Sequence, residues 1–190
     1  MALYKLRKFT QDISGTLSEL VAAYPPKYKT KSHISVGVTA GLLVKKYVNT
    51  INEYVYYLCE RDNENVAGYV VVKPSRTRGH VHGSIEMLEV YKSHAGKNLA
   101  MAMYKFIVNS EGIVLQIGHA QTKGSRKLWY KLAADPSVVV FYSTIVKRQR
   151  SFFLCELNHA KQELMIGDKS PYIDYQDDNH FNSIYLSKKA

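Results

Sequence analysis

The fold of this chain is decided by one stretch of sequence, Leu88-Glu89-Val90-Tyr91-Lys92-Ser93-His94-Ala95-Gly96-Lys97-Asn98-Leu99-Ala100. A run of apolar and β-branched residues up to Tyr91 predicts a strand, a tight turn follows at 93–96, and helical spacing begins at Leu99. A strand that leads through a compact turn into a helix presents main-chain N–H groups and the positive end of the helix dipole. These are the physical requirements for binding a pyrophosphate, and a small residue such as Gly96 lets the anion approach.

The segments on either side of this stretch alternate between strands and helices. Upstream, the patterns predict a strand at 2–9, a helix that stops at Pro25 and Pro26, a second helix from Val38 to near Asn49, a hairpin of strands at 53–60 and 66–72, and a loop at 74–83. Downstream, they predict a helix from Leu99 to near Gly112, a strand at 113–117, a helix at 125–134, a strand at 138–142 and a last antiparallel strand at 151–157. This order predicts an α/β (α+β) arrangement around a mixed sheet.

Composition and charge limit the classes of protein to which the chain can belong. It has 190 residues, 46% of them hydrophobic and 22% charged, which argues against a disordered or collagen-like chain. Its formal charge of +10 suits partners such as nucleic acid, anionic headgroups or phosphorylated metabolites. Cys59 and Cys155 are too few for a disulfide framework, and no run of 18 apolar residues or signal peptide is visible. We therefore expect a cytoplasmic protein with no membrane span.

The stretch quoted above resembles the signature of the GNAT superfamily of acyl-CoA-dependent N-acyltransferases, Val-x-Pro-x-Tyr-Arg-Gly-Lys-Gly-Ile-Gly after a strand. The matching positions are Val90, His94 at the aromatic position, Gly96, Lys97, Leu99 at the aliphatic position and Ala100 at the final small position. Two positions depart from the pattern. Ala95 stands where the family has Arg or Gln, and Asn98 stands where it has a core glycine.

A second resemblance lies in Ser125-Arg126-Lys127-Leu128-Trp129-Tyr130-Lys131-Leu132-Ala133, which is similar to the family's Ala-x-x-Leu-Tyr-x-x-Leu-Gly-Phe helix. Trp129 aligns with the Tyr proposed as general acid, Thr122 with a CoA-contacting Asn, and the Leu-Trp variant resembles phage-encoded members. The resemblance implies a mixed, mostly antiparallel central sheet flanked by helices over residues 1–157. Residues 158–190, acidic and containing Tyr172, Tyr175 and Tyr185, are expected to form a C-terminal extension packed on the same domain.

The resemblance also implies acetyl-CoA as co-substrate and assigns its contacts to a set of residues, namely Leu88, Val90, Ala95, Gly96, Lys97, Asn98, Leu99, Ala100 and Ser125. Leu88 and Val90 would contribute main-chain groups to the pantetheine arm. Transfer to an amine needs a base and a proton for the leaving thiolate. Glu86 is the candidate base, acting through water, with a solvated strand carboxylate as the alternative. For the acid, Tyr130 is the candidate, and recruitment of His119 or departure of the thiolate without a protein acid stay open.

Two groups of basic residues suit anionic partners. Arg76, Arg78, His80 and His82, with Lys73 nearby, are predicted to lie in a loop near the acceptor end and to bind an acceptor phosphate; a solvated hairpin is the alternative. His80 and His82 have no third ligand at a telling spacing, so no metal site is expected. Lys123, Arg126, Lys127 and Lys131 form a second group, suited to the 3'-phosphate of CoA, to nucleic acid or to water.

Three hypotheses about function follow from these residues. The leading one is a GNAT-like N-acyltransferase that moves an acetyl group from acetyl-CoA to a primary amine, the acceptor being carried on nucleic acid or an acidic macromolecule. The contrasting one is a catalytically inactive GNAT-fold protein that binds nucleic acid or an acidic host protein, which Ala95, Asn98 and Trp129 favour. The third is a nucleobase-modifying enzyme on the same scaffold.

Overall fold

The computed structural model describes residues 30–49, 51–77, 80–117, 123–146, 149–158, 163–166, 170–171 and 183–189. Within them the strands are β1 Thr30–Thr39, β2 Leu42–Asn49, β3 Tyr54–Cys59, β4 Val66–Thr77, β5 His80–Val90, β6 Val114–Gln116, β7 Val138–Val146, β8 Gln149–Asn158, β9 Glu163–Ile166, β10 Ser170–Pro171 and β11 Ser183–Lys188. The helices are α1 Leu99–Ser110 and α2 Lys123–Ala133, and a single 3-10 turn spans Lys92–His94. The strand predicted at 2–9 and the helix predicted before Pro25 lie outside these residues.

The α+β class is confirmed, because strands in both parallel and antiparallel pairing are combined with helices. The chain divides into two compact units. The first comprises the described residues up to Lys73 together with Met87–Met103, and the second comprises Pro74–Glu86 together with the described residues from Tyr104 onwards. In the part of the chain that the structure describes, no helix is both long and apolar enough to cross a membrane.

The first unit is built on an antiparallel meander in which β1 pairs with β2, β2 with β3, and β3 with β4. The predicted helix from Val38 to near Asn49 is therefore wrong. Ala40 and Gly41, with φ of 48° and 78°, form a two-residue turn that pairs Thr39 with Leu42. Both faces of β2 are covered, so apolar residues occur on both and the alternation that identifies a strand is lost.

One face of this meander is a cluster of tyrosine rings. The rings of Tyr47 and Tyr57 meet edge to face at 5.6 Å between centroids, and those of Tyr57 and Tyr69 lie 5.9 Å apart. Leu43, Met87 and Tyr91 pack against this cluster, which also contains Val55, Cys59, Val66 and Val71. Residues of β3 and β4 whose side chains alternate to the opposite face are also buried, namely Tyr56, Leu58, Val70 and Val72. This sheet therefore has a core on each side.

The loop predicted at 74–83 is also wrong, because β4 continues to Thr77 and β5 begins at His80. The loop was indicated by Pro74 and Gly83, which are turn-forming residues in most sequences. Both residues lie inside strands here, and Gly83 is buried and paired with Leu115 of β6. Proline is compatible with a strand at a position where its main-chain nitrogen does not have to donate a hydrogen bond to the neighbouring strand. Glycine is compatible with a strand where another segment approaches too closely to leave room for a side chain.

The second unit contains the one parallel pairing found among the described residues, between His82–Ser84 of β5 and Val114–Gln116 of β6. β11 lies between β6 and β7 and is antiparallel to both, with Tyr185 opposite Gln116 on one side and Phe141 on the other. β8 pairs with β7 on one side and with β9 on the other, and β10 follows β9. The expectation that 151–157 is the last strand is wrong, because β11 follows it at Ser183–Lys188. The partners of β11 are distant in sequence, so no local pattern of residues indicated this strand.

Helix α2 covers the core of the second unit. Leu128, Trp129 and Leu132 are buried, and the Trp129 ring lies 5.9 Å from that of Tyr104 in α1. The predicted helices after Leu99 and at 125–134, and the predicted strands at 85–91, 113–117 and 138–142, are confirmed to within a few residues, apart from longer strands at β5 and β7.

Candidate functional site

The predicted strand, turn and helix are present in the order expected. After β5 ends at Val90, the 3-10 turn is closed by hydrogen bonds from His94 N to Tyr91 O (2.8 Å) and from Ala95 N to Lys92 O (3.2 Å). The backbone then turns at Gly96 with φ of 81° before α1 begins at Leu99. We refer to residues 92–98 as the 92–98 turn.

The 92–98 turn is open to solvent at its centre. Ala95, Gly96, Lys97 and Asn98 are exposed, and a Cβ added at Gly96 would have no atom within 4 Å. The first intrahelical bond of α1 runs from Ala102 N to Asn98 O (3.1 Å), so the N–H groups before Ala102 have no acceptor within the helix. No acidic residue lies in the first turn of α1. Within the first turn itself, the positive end of the helix dipole is therefore not offset by a carboxylate.

Asn98 departs from the family pattern in residue type, but its backbone conformation is one that glycine favours. Its φ is 55°, in the left-handed region. Glycine enters this region without a steric penalty, and Asn is among the few other residues that tolerate it. The main-chain path that the resemblance predicts with glycine is thus achieved with asparagine.

A histidine joins the 92–98 turn to the end of β3. His94 Nε2 lies 3.0 Å from Glu60 Oε1, and His94 Nδ1 lies 2.9 Å from Ser93 Oγ. Hydrogen bonds from Asn63, and then from His94, hold the pKa of Glu60 below its usual value. Sequence reasoning missed Glu60, because it stands 34 positions before His94 and reaches it only through the pairing of the intervening strands.

The end of β5 is held against β4 by a close main-chain approach. A Cβ on Gly68 would lie 2.6 Å from the carbonyl oxygen of Glu89 and 3.1 Å from Cα of Val90. Tyr91 N donates to Ala67 O at 2.9 Å. Leu88 and Val90, the residues predicted to contact pantetheine, are half-buried on β5. The strand that leads into the turn is therefore positioned by a glycine that sequence reasoning did not single out.

A second carboxylate, Glu89, lies on this part of β5. The hydroxyl of Tyr69 donates to Glu89 Oε2 at 2.9 Å and lies 2.9 Å from Sδ of Met87. Tyr69 is buried and Glu89 is half-buried. This pair also escaped the sequence analysis, since β4 and β5 were expected to be separated by a long loop.

The residues predicted to be catalytic lie in the second unit. Glu86 is half-buried on β5, while Tyr130 and Ser125 are half-buried on α2. Trp129, at the position of the family's general acid, is 1% exposed, and its Nε1 has no hydrogen-bond partner in the described part of the chain. The indole therefore serves the core of this unit. His119 and Thr122 lie outside the described residues.

The first basic group lies on strands and not in the predicted loop. Arg76 is exposed near the end of β4, and His82 is half-buried near the start of β5. Arg78 lies outside the described residues, and for His80 only the backbone, as the first residue of β5, is described. Of the second group, Arg126, Lys127 and Lys131 are exposed on α2. Among the residues with described positions, no three His, Cys, Asp or Glu side chains form a group that could hold a metal.

Comparisons with known proteins give little further information. No protein-family model matches the chain, and no curated protein matches its sequence. Among solved structures, one similar chain is that of a fungal multi-domain GH3 beta-N-acetylglucosaminidase, described as containing a GCN5-related glucosamine N-acetyltransferase region. The identity is 15% and the TM-score 0.31, over 48% of this chain and 13% of that one.

Proposed function

We propose that this protein is a GNAT-like N-acyltransferase that moves an acetyl group from acetyl-CoA to a primary amine. The observation that carries this proposal is the 92–98 turn, in which a left-handed Gly96 with open space beside it stands just before the start of α1. Consecutive N–H groups in such a turn can point to one side and form a concave site for an anion. The helix N-terminus adds favourable electrostatics for a diphosphate.

The residues around the turn fit the pyrophosphate of CoA. Ala95 and Gly96 are small and leave the main chain accessible, while Lys92 and Lys97 are exposed and add positive charge. In this proposal residues 95–100 bind the pyrophosphate through main-chain N–H groups. Leu88 and Val90 contribute main-chain groups to the pantetheine arm.

Acetyl-CoA supplies an activated thioester, and the chain must supply the proton transfers. A primary amine attacks only when it is neutral, so a base has to remove its proton. We assign this step to Glu86 acting through water, because it is a half-buried carboxylate on the strand that leads to the turn. Tyr130, half-buried on α2, is the donor assigned to the leaving thiolate.

The buried Trp129 favours a second candidate function. An indole N–H has no useful acidity, and this side chain is committed to the core at the position where the resemblance expects a tyrosine acid. A chain that binds acetyl-CoA and turns over no amine would be a GNAT-fold binding protein. Its basic residues, Arg76 and Arg78 among them, would then bind nucleic acid, with an affinity that falls as salt rises and falls further on Arg76→Ala with Arg78→Ala.

The central experiment is calorimetry with acetyl-CoA on the full chain and on Gly96→Glu. The new carboxylate brings negative charge to the anion site, so we expect affinity to fall by about a hundredfold or more. Gly112→Glu is the matched control, since Gly112 follows the opposite end of α1 and also has a positive φ (67°) and no atom within 4 Å of an added Cβ. It should retain full affinity. Equal affinity of Gly96→Glu and the unaltered chain would refute the site.

A further inference from the structure

A side-chain contact joins the residue that follows β3 to the 92–98 turn. Glu60 and His94 form it, with side chains that are 35% and 13% exposed. The main chain of Glu60 is part of a structured turn, in which Glu60 N donates to Asn65 O (2.9 Å) and Asn65 N donates to Asn63 Oδ1 (2.9 Å), and its carboxylate accepts from Asn63 as well as from His94. Glu60 is therefore fixed at both its main chain and its side chain.

The charge state of Glu60 determines the tautomer of His94. Hydrogen bonds from Asn63 and His94 lower the pKa of Glu60, so the carboxylate is ionised at neutral pH and can only accept. The proton of a neutral His94 must then lie on Nε2, which donates to Glu60 Oε1. Nδ1 accepts from the Ser93 hydroxyl, and this hydroxyl can rotate to become the acceptor if the ring is protonated.

The contact therefore persists in both protonation states of the histidine. Other charged groups of the two segments do not replace it. Lys92 and Lys97 are exposed on the turn, Arg61 Nε donates to Gly41 O at 3.2 Å, and Asp62 is exposed. Glu60 is the carboxylate that these described segments direct at His94.

We propose that Glu60 is a positioning residue for the diphosphate site, which it holds in shape through His94. This inference rests on the proposed function and deepens it. A diphosphate binds more tightly to main-chain N–H groups that are already aligned, because no ordering of the turn has to accompany binding. His94 is joined to Gly96 by a single residue, so fixing its ring restrains the start of the anion-binding segment.

The test compares acetyl-CoA affinity in Glu60→Ala, Glu60→Gln and Asp62→Ala. Loss of one charge-assisted hydrogen bond should lower the affinity of Glu60→Ala by about tenfold. Glu60→Gln keeps an acceptor for Nε2 and should recover most of this loss. Asp62→Ala removes the same charge from the same turn without touching His94, and it should bind as the unaltered chain does. Equal losses in Glu60→Ala and Asp62→Ala would overturn the proposal, since a bulk charge effect would then explain both.

A second measurement needs no cofactor. The ¹⁵N resonances of the His94 ring, assigned by their loss in His94→Gln, should show the Nε2–H tautomer at pH 8 and a mixture of tautomers in Glu60→Ala. An Nδ1–H tautomer in the unaltered chain would overturn the positioning role. Failure of the unaltered chain to bind acetyl-CoA would overturn the proposed function instead, and the tautomer would still decide whether Glu60 holds the turn.

Discussion

Replacing Gly68 by alanine tests whether the approach of β4 to β5 is as close as the structure has it. The added Cβ would lie 2.6 Å from the carbonyl oxygen of Glu89, 3.1 Å from Cα of Val90 and 3.4 Å from its Cγ2. The two nearest atoms belong to the main chain, so no side-chain rotation relieves the contact. The strands must separate by several tenths of an ångström, and the core cluster beneath them must follow.

Two opposing effects determine how much Gly68→Ala changes the free energy of unfolding. Overpacking a well-filled core costs about 1–3 kcal/mol, and contact with main chain places this case in the upper part of that range. Loss of glycine's freedom in the unfolded chain offsets about 0.4–1 kcal/mol. We therefore expect Gly68→Ala to lower the free energy of unfolding by about 2 kcal/mol.

Urea unfolding followed by circular dichroism measures this change at constant m-value. Gly41→Ala serves as the control, because its φ of 78° imposes backbone strain but its Cβ meets no atom within 4 Å. A left-handed alanine costs about 1 kcal/mol. If Gly68→Ala is no less stable than the unaltered chain, β4 and β5 do not approach each other closely at Gly68. The position described for Val90 on β5 would then be wrong as well.

Two further predictions concern titratable groups. Burial of Asp135 acts to raise its pKa, but hydrogen bonds from Lys105 (2.8 Å) and Ser137 outweigh this and lower the pKa to about 2. The carboxylate therefore stabilises the fold above the pKa of about 3.8 that it has when unfolded, and this contribution is lost as pH falls towards 2. Asp135→Asn should cost about 2 kcal/mol at pH 7, with the difference shrinking between pH 4 and 2 in acid titrations of stability; a difference independent of pH would contradict the assignment. Burial raises the pKa of Cys59 to about 11 and that of Cys155 to about 12, so neither thiol should react with a disulfide reagent at pH 8 until the chain is unfolded, and rapid labelling of the native protein would count against their burial.

The sequence alone determined the elements whose signals are local. The strand up to Val90, the turn after it and the helix from Leu99 were predictable because apolar and β-branched residues, a turn-forming glycine and helical spacing follow one another within about 25 residues. The helix that carries Trp129 was predictable for the same reason.

Only the tertiary structure determined the strands and side-chain contacts that form between segments distant in sequence. β2 has helix-like spacing and became a strand because β1 and β3 pair with it and both its faces are covered. β11, near the C-terminal end of the described residues, pairs with β6 and β7. Glu60 forms a hydrogen bond with His94, which lies 34 positions later in the sequence. In each case the free energy comes from pairing or burial between segments that are far apart in sequence, so no local pattern of residues records it.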